Sequence, residues 1–266
     1  MPRFSANIST LFQSVPLIER IGLAAECGFD AIEIQFPYSE SAAALRAELD
    51  RWQLPLVLIN VPVGDLMEGG EGLAAVPGCE ARFDDALREA REYVEVLQPR
   101  ALNVLAGRPK DLHARSQCEA VFRRNLRKAF SVVQAERVQL VTEPVNTVDM
   151  PGFFLSRSQQ AVELIDSLPE LVLAIQYDLY HVAVMEGDVM TSLTTLIDKV
   201  GHIQFSDVPG RTEPRGGLDF AAIFELVDSL DYSGYVGAEY FPTQDTADTL
   251  GWLEPYKQPA RGHVTE

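Results

Sequence analysis

Short apolar runs alternate with longer amphipathic stretches eight times along these 266 residues. The run Phe4–Ile8 precedes 16–27, where Leu17, Ile18, Ile21, Ala24 and Ala25 recur at helical spacing. Pro16 suits a first helical turn and Gly28 its end. Ala31–Phe36 then leads to a helix over Ala42–Trp52, and Leu56–Val61 to one over Glu80–Leu97. Ala101–Leu105 pairs with Ser116–Ala135, Gln139–Glu143 with Ser158–Leu168, and Leu173–Tyr177 with Val189–Lys199. His202–Phe205 with Phe220–Leu230, and Tyr235–Glu239 with a last short helix over Thr246–Leu253, complete the series. Strands separated by helical crossovers make a parallel sheet. Eight without a domain break predict closure as a single (β/α)₈ TIM barrel, which takes about 250 residues. No GxGxxG stands between a strand and a helix, as an open dinucleotide-binding sheet would require. The barrel is expected over residues 1–253, with 254–266, containing Pro255, Pro259, Arg261 and Gly262, as a loose tail.

The formal net charge is −17. Such a chain repels nucleic-acid phosphates and anionic headgroups, so neither nucleic acid nor membrane is expected as a partner. An anionic substrate would need a local cation. Cys27, Cys79 and Cys118 are scattered and odd in number, which argues against a disulfide framework and for reduced thiols in a cytoplasmic protein. No apolar run is long enough for a signal peptide or a membrane span. Homo-oligomerisation stays open.

Barrel enzymes carry their chemistry at the C-terminal ends of the strands. Two long loops leave such ends, over Val63–Gly78 and Pro144–Arg157. The late strands finish with Glu143, Asp178, Gln204 and Glu239, one ring of oxygen-bearing side chains. Three are anionic and cannot share a site without neutralisation. A divalent cation resolves the conflict, and oxygen-only ligation favours Mg²⁺ or Mn²⁺ over Zn²⁺. A cation on a carbonyl and its neighbouring hydroxyl acidifies the C–H between them. One glutamate then removes the proton, and the other returns it to the adjacent carbon of the enediolate. Glu143 and Glu239 are the candidate pair; the alternative is that both only bind metal and a water carries the proton.

Substrate-binding candidates are Asn60 at the third strand's end, His181, Asp207 and Arg211. His181 serves either a substrate oxygen or a helix cap. Asp207 orients a ligand or caps a turn, and Arg211 or Arg215 pairs with a carboxylate or stays solvated. His202, inside a strand, reads as a core histidine. Of Lys110, Lys128, Lys199 and Lys257, none stands at a strand end, against Schiff-base chemistry.

These residues fall in recognisable stretches: Arg3-Phe4-Ser5-Ala6-Asn7-Ile8-Ser9, Glu33-Ile34-Gln35-Phe36-Pro37-Tyr38, Glu143-Pro144-Val145-Asn146, Gln176-Tyr177-Asp178-Leu179-Tyr180-His181, Met185-Glu186-Gly187, His202-Ile203-Gln204-Phe205-Ser206-Asp207 and Gly237-Ala238-Glu239-Tyr240. Together they resemble the hydroxypyruvate isomerase family of xylose isomerase-like barrels, over nearly the whole chain. The resemblance implies a divalent metal at Glu143, Asp178, Gln204 and Glu239, with Glu143 and Glu239 as proton donor and acceptor. It implies interconversion of hydroxypyruvate and 2-hydroxy-3-oxopropanoate (tartronate semialdehyde), or of the 2-oxo-tetronates by the same site. A ketose 3-epimerase and an inert sugar-acid-binding barrel are further alternatives. Epimerases usually carry histidine where Gln204 stands, and an inert barrel would lack one of the glutamates. Four histidines and the acidic charge speak against an abasic-site endonuclease. One departure is Arg215, among glycines where a smaller residue is expected, which bears on the shape of that loop.

Overall fold

The structure is a computed structural model that describes residues 1–110 and 113–257. Eight parallel strands close in chain order: β1 (Arg3–Asn7), β2 (Ala31–Glu33), β3 (Leu56–Asn60), β4 (Ala101–Asn103), β5 (Gln139–Thr142), β6 (Leu173–Asp178), β7 (Val200–Phe205) and β8 (Tyr235–Ala238). β8 pairs with β1, Phe4 against Val236, which leaves no free edge. Around them lie α1 (Leu17–Glu26), α2 (Ala42–Trp52), α3 (Glu80–Leu97), α4 (Arg115–Val133), α5 (Ser158–Asp166), α6 (Leu179–Met185), α7 (Val189–Leu196) and α8 (Phe220–Ser229).

The expected elements are present with local differences. β2 stops at Glu33, and Pro37 then starts a 3₁₀ turn over Pro37–Ser39. Two helices, α6 and α7, follow β6, because Asp178 caps α6 through the Tyr180 N–H and Asp188 caps α7 through the Thr191 N–H. The last helix is 3₁₀ rather than α, over Thr246–Trp252. A further 3₁₀ turn, Glu254–Tyr256, packs Tyr256 against Phe4 at 5.3 Å and Phe224 at 5.5 Å between ring centroids. The start of the expected tail is therefore folded against the barrel; Pro259, Arg261 and Gly262 lie outside the described residues.

Side chains two apart on a strand share a face. Outward residues such as Phe4, Ile203 and Phe205 meet the helices in the main core. Phe4, Phe205, Phe224 and Trp252 stack edge to face there, with Phe4–Phe224 at 4.9 Å and Phe205–Trp252 at 5.0 Å. A second, smaller cluster contains Ala31, Ala101, Val141 and Tyr235. Two residues further along the chain in each case come Glu33, Asn103, Glu143 and Gly237. The barrel interior is thus apolar below and polar above.

The long loops after β3 and β5 are both tied to the loop after β4. Ala75 N–H donates to Ala106 O at 2.8 Å, Arg108 N–H to Glu71 O at 2.8 Å, and Phe154 N–H to Gly107 O at 2.9 Å. Gly107, at φ +90°, permits this approach: a Cβ there would stand 2.6 Å from Glu71 O.

Phe224→Ala removes a ring 2% exposed in the aromatic cluster. Expected destabilisation in urea unfolding is about 3–5 kcal/mol. A loss below about 1 kcal/mol would mean that the cluster collapses around the gap and contributes little.

Candidate active site

The four ring residues lie together at the C-terminal mouth, all nearly or fully buried. Asp178 ends β6 in register with Gln204 on β7, and Gln204 faces Gly237 on β8, two residues before Glu239. Glu143 follows β5 directly. Period-two alternation turns Gln176, Asp178, His202 and Gln204 inward.

Amides connect the two glutamates. Glu143 Oε2 accepts from Asn103 Nδ2 at 3.2 Å and Gln176 Nε2 at 2.8 Å. Gln176 Nε2 also reaches Gln204 Oε1 at 2.5 Å, and Gln204 Nε2 donates to Glu239 Oε2 at 2.6 Å. Asn7 Nδ2 adds a bond to Glu239 Oε2 at 3.1 Å, and Gln35 Nε2 one to Oε1 at 3.0 Å. The Arg211 guanidinium lies between Glu239 Oε1 and Asp178 Oδ2.

His181 completes a tight group: a ligand atom each from Glu143, Asp178 and His181 lies within 4.8 Å of the others. Its Nε2 is 3.6 Å from Glu143 and 3.5 Å from Asp178. Its Nδ1 lies 2.8 Å from Asn146 Nδ2. Asn146 Oδ1 accepts from the backbone N–H groups of Val148 at 3.0 Å and Asp149 at 2.8 Å, which fixes the amide's orientation. Asn146 Nδ2 must then donate, so Nδ1 accepts and Nε2 carries the ring proton. That tautomer suits a hydrogen-bond donor and not a metal ligand, which leaves an oxygen donor set.

Electrostatics point the same way. Burial, then Glu239 and Asp178, push Glu143 well above the usual carboxylate range, with Arg211 and Asn103 opposing. Burial raises Asp178, against Arg211. Burial raises Glu239 to about 8 despite Arg211. Burial lowers Arg211, but Glu239, Asp178 and Glu143 outweigh it and the guanidinium is held charged. Burial, with Arg211, keeps His181 neutral, well below its ordinary value. Three buried carboxylates against one guanidinium leave an excess of negative charge, and a hard divalent cation fits that donor set.

The other predicted residues take distinct places. Asn60, 3% exposed, lies in register with Asn103, its Oδ1 buried without a partner among the described residues. Asp207 commits both oxygens to its own loop: Oδ1 accepts from Val208 N–H and Leu218 N–H, each at 2.9 Å, and Oδ2 from Arg215 N–H at 2.6 Å and Gly217 N–H at 3.1 Å. It organises the β7–α8 loop, which carries Arg211 at φ 52°. Arg215 fits that loop because its side chain, 61% exposed, points outward. Thus Arg211, not Arg215, enters the site. His202 is a bonded interior histidine, as expected, with Nε2 at 2.8 Å from Glu33 Oε1.

Sequence reasoning passed over Asn7, Glu33, Gln35, Asn103, Asn146 and Gln176 as site residues. For all but Asn146, which lies in the loop after β5, the available signal was a polar residue at the inward position of an otherwise apolar run, in early strands as in late ones.

The xylose isomerase-like TIM barrel family model matches residues 21–256. A Cupriavidus necator protein named 2-oxo-tetronate isomerase is 41% identical, covering 96% of this chain and 99% of its own. An Escherichia coli hydroxypyruvate isomerase is 38% identical over 97% of this chain and all of its own length. A crystal structure from Brucella melitensis, described as an AP endonuclease of family 2, superposes with a TM-score of 0.93 at 37% identity, covering 97% of this chain and 100% of that one.

A carboxyl whose pKa rises on folding keeps its proton in the folded chain after the unfolded chain has lost it. Its stabilising contribution is full below the ordinary value of 4.5 and disappears as pH climbs toward about 8. The melting temperature of the metal-free protein is expected to fall across that window, and less steeply in Glu239→Gln. Equal slopes in the two proteins would remove Glu239 as the source.

Proposed function

The chain belongs to the xylose isomerase-like TIM barrels and within them to the hydroxypyruvate isomerase family, and on that premise we propose that it is a metal-dependent isomerase of small sugar acids. The reaction is the interconversion of hydroxypyruvate and 2-hydroxy-3-oxopropanoate, with the four-carbon 2-oxo-tetronates as the second reading. The observation that carries it is the pair Glu143 and Glu239, buried in one polar mouth and joined through Gln176 and Gln204. The second reading is favoured by the relative of that name at 41% identity.

Glu143, Asp178, Gln204 and Glu239 would hold Mg²⁺ or Mn²⁺. When bound, the cation supplies a Lewis acid that acidifies the C–H beside a carbonyl. Glu143 exchanges a proton with one substrate carbon through Oε1, the oxygen that accepts no amide among the described residues, and Glu239 does so with the neighbouring carbon. The atoms balance: a proton leaves C3, another arrives at C2, and the hydroxyl proton passes from O3 to O2. His181 Nε2–H donates to a substrate oxygen. The guanidinium of Arg211 receives the substrate carboxylate, and Asn60 lines the same mouth. The protein acts in the cytoplasm on a small anion, without nucleic acid or membrane. An endonuclease reading, prompted by the description of the Brucella melitensis structure, fits poorly with a net charge of −17 and with His202 committed to Glu33.

The test incubates the protein with Mn²⁺ or Mg²⁺ and a panel of three- and four-carbon oxo-acids in D₂O, followed by NMR. Native protein is expected to isomerise and exchange solvent deuterium. Glu143→Gln and Glu239→Gln are each expected to lose about 10²–10⁴-fold in kcat. Turnover surviving in both variants would remove the two-glutamate mechanism. Turnover of the four-carbon acids alone would make 2-oxo-tetronate the substrate.

A further inference from the structure

Glu33 is a fully buried carboxylate to which the proposed reaction gives no task. It sits on β2, and both of its oxygens are engaged. Oε1 accepts from Ser5 Oγ at 2.6 Å and lies 2.8 Å from His202 Nε2. Oε2 accepts from Gln204 Nε2 at 2.7 Å and stands 3.4 Å from Asn7 Nδ2. The facing strand is shaped for it: a Cβ on Gly237 would overlap Oε1 and the carboxyl carbon of Glu33. A carboxylate is thus built into the barrel directly beneath the mouth.

We propose that Glu33 is a positioning residue that fixes which end of the Gln204 amide faces the cation site. The inference rests on the reading of Gln204 as a metal ligand. The two ends of a glutamine amide have nearly the same shape, and only the nitrogen donates. Gln204 Nε2 lies between two carboxylate oxygens, Glu33 Oε2 at 2.7 Å and Glu239 Oε2 at 2.6 Å, and both of its hydrogens are used. Oε1 must therefore point away, toward Gln176 on β6, the side on which Glu143 and Asp178 lie. Glu33 also accounts for an amide rather than a carboxylate at this place. A carboxylate at 204 would set an oxygen against Glu33 Oε2 and Glu239 Oε2 in place of the amide N–H groups that now bridge them.

The experiment is calorimetric titration of the metal-free protein with Mn²⁺, beside thermal melts of the same samples. Glu33→Gln is isosteric but places a second amide against Gln204, and its Mn²⁺ affinity is expected to fall by about 10- to 100-fold. Gly237→Ala displaces the Glu33 carboxylate without touching a proposed ligand and is expected to weaken Mn²⁺ binding likewise. Ser5→Ala removes a bond to the other oxygen of Glu33. It is expected to lower the melting temperature while leaving Mn²⁺ affinity within about twofold of native, since Gln204 keeps both acceptors. Native binding with unchanged affinity in both Glu33→Gln and Gly237→Ala overturns the inference alone, as does an equal loss in Ser5→Ala. A native protein that takes up no Mn²⁺ overturns the proposed function and this inference with it.

Discussion

Everything at the mouth of this barrel follows from packing Glu143, Asp178 and Glu239 into one buried space with, among the described residues, the single guanidinium of Arg211. Water would solvate such charges at little cost, whereas a protein interior does so only through fixed dipoles and counter-charges. The surrounding sequence reads as a response. Side-chain amides from β1, β4, β6 and β7 converge on the carboxylates: Asn7, Asn103, Gln176 and Gln204. An amide is neutral, so it can approach an anion without adding net charge, and its second end remains available to bond a neighbour.

The two glutamates are chemically unequal as a result. Glu143 is held by neutral donors on one oxygen only, whereas Glu239 is bonded on both oxygens and touches a guanidinium. The difference is set by which loops follow which strands. Arg211 reaches Glu239 because Asp207 gathers the β7–α8 loop beneath it.

The barrel was legible from the sequence because each strand–helix unit announces itself twice, by its apolar period and by its turn residues. Asp178, Gln204 and the glutamates could be read from strand ends for the same reason. The missed elements share a physical cause. β2 ends at Glu33 because its pairing with β3 shifts register between Ile32 and Glu33, which local pattern does not reveal. The 3₁₀ form of Thr246–Trp252 depends on packing against Phe4 and Phe205, distant in the chain. Asp207 and Asn146 each bond backbone groups along their own loops, and spacing alone cannot tell such a loop-former from a residue that contacts substrate. Glu33 looked like part of an apolar strand. Its meaning appears only when β7 and β8 close beside it.

His181 is fixed from behind, at Nδ1. Asn146, itself pinned by the Val148 and Asp149 amides, offers Nδ1 only a hydrogen bond from a carboxamide, which has no acidic proton to surrender. The imidazole therefore cannot refill from behind after giving a proton away. In the proposed reaction it would serve as a fixed dipole and not as a shuttle, which leaves proton transfer to the carboxylates. Any homologue in which the Asn146 position holds an acid would reopen that back door and make the ring a titrating participant.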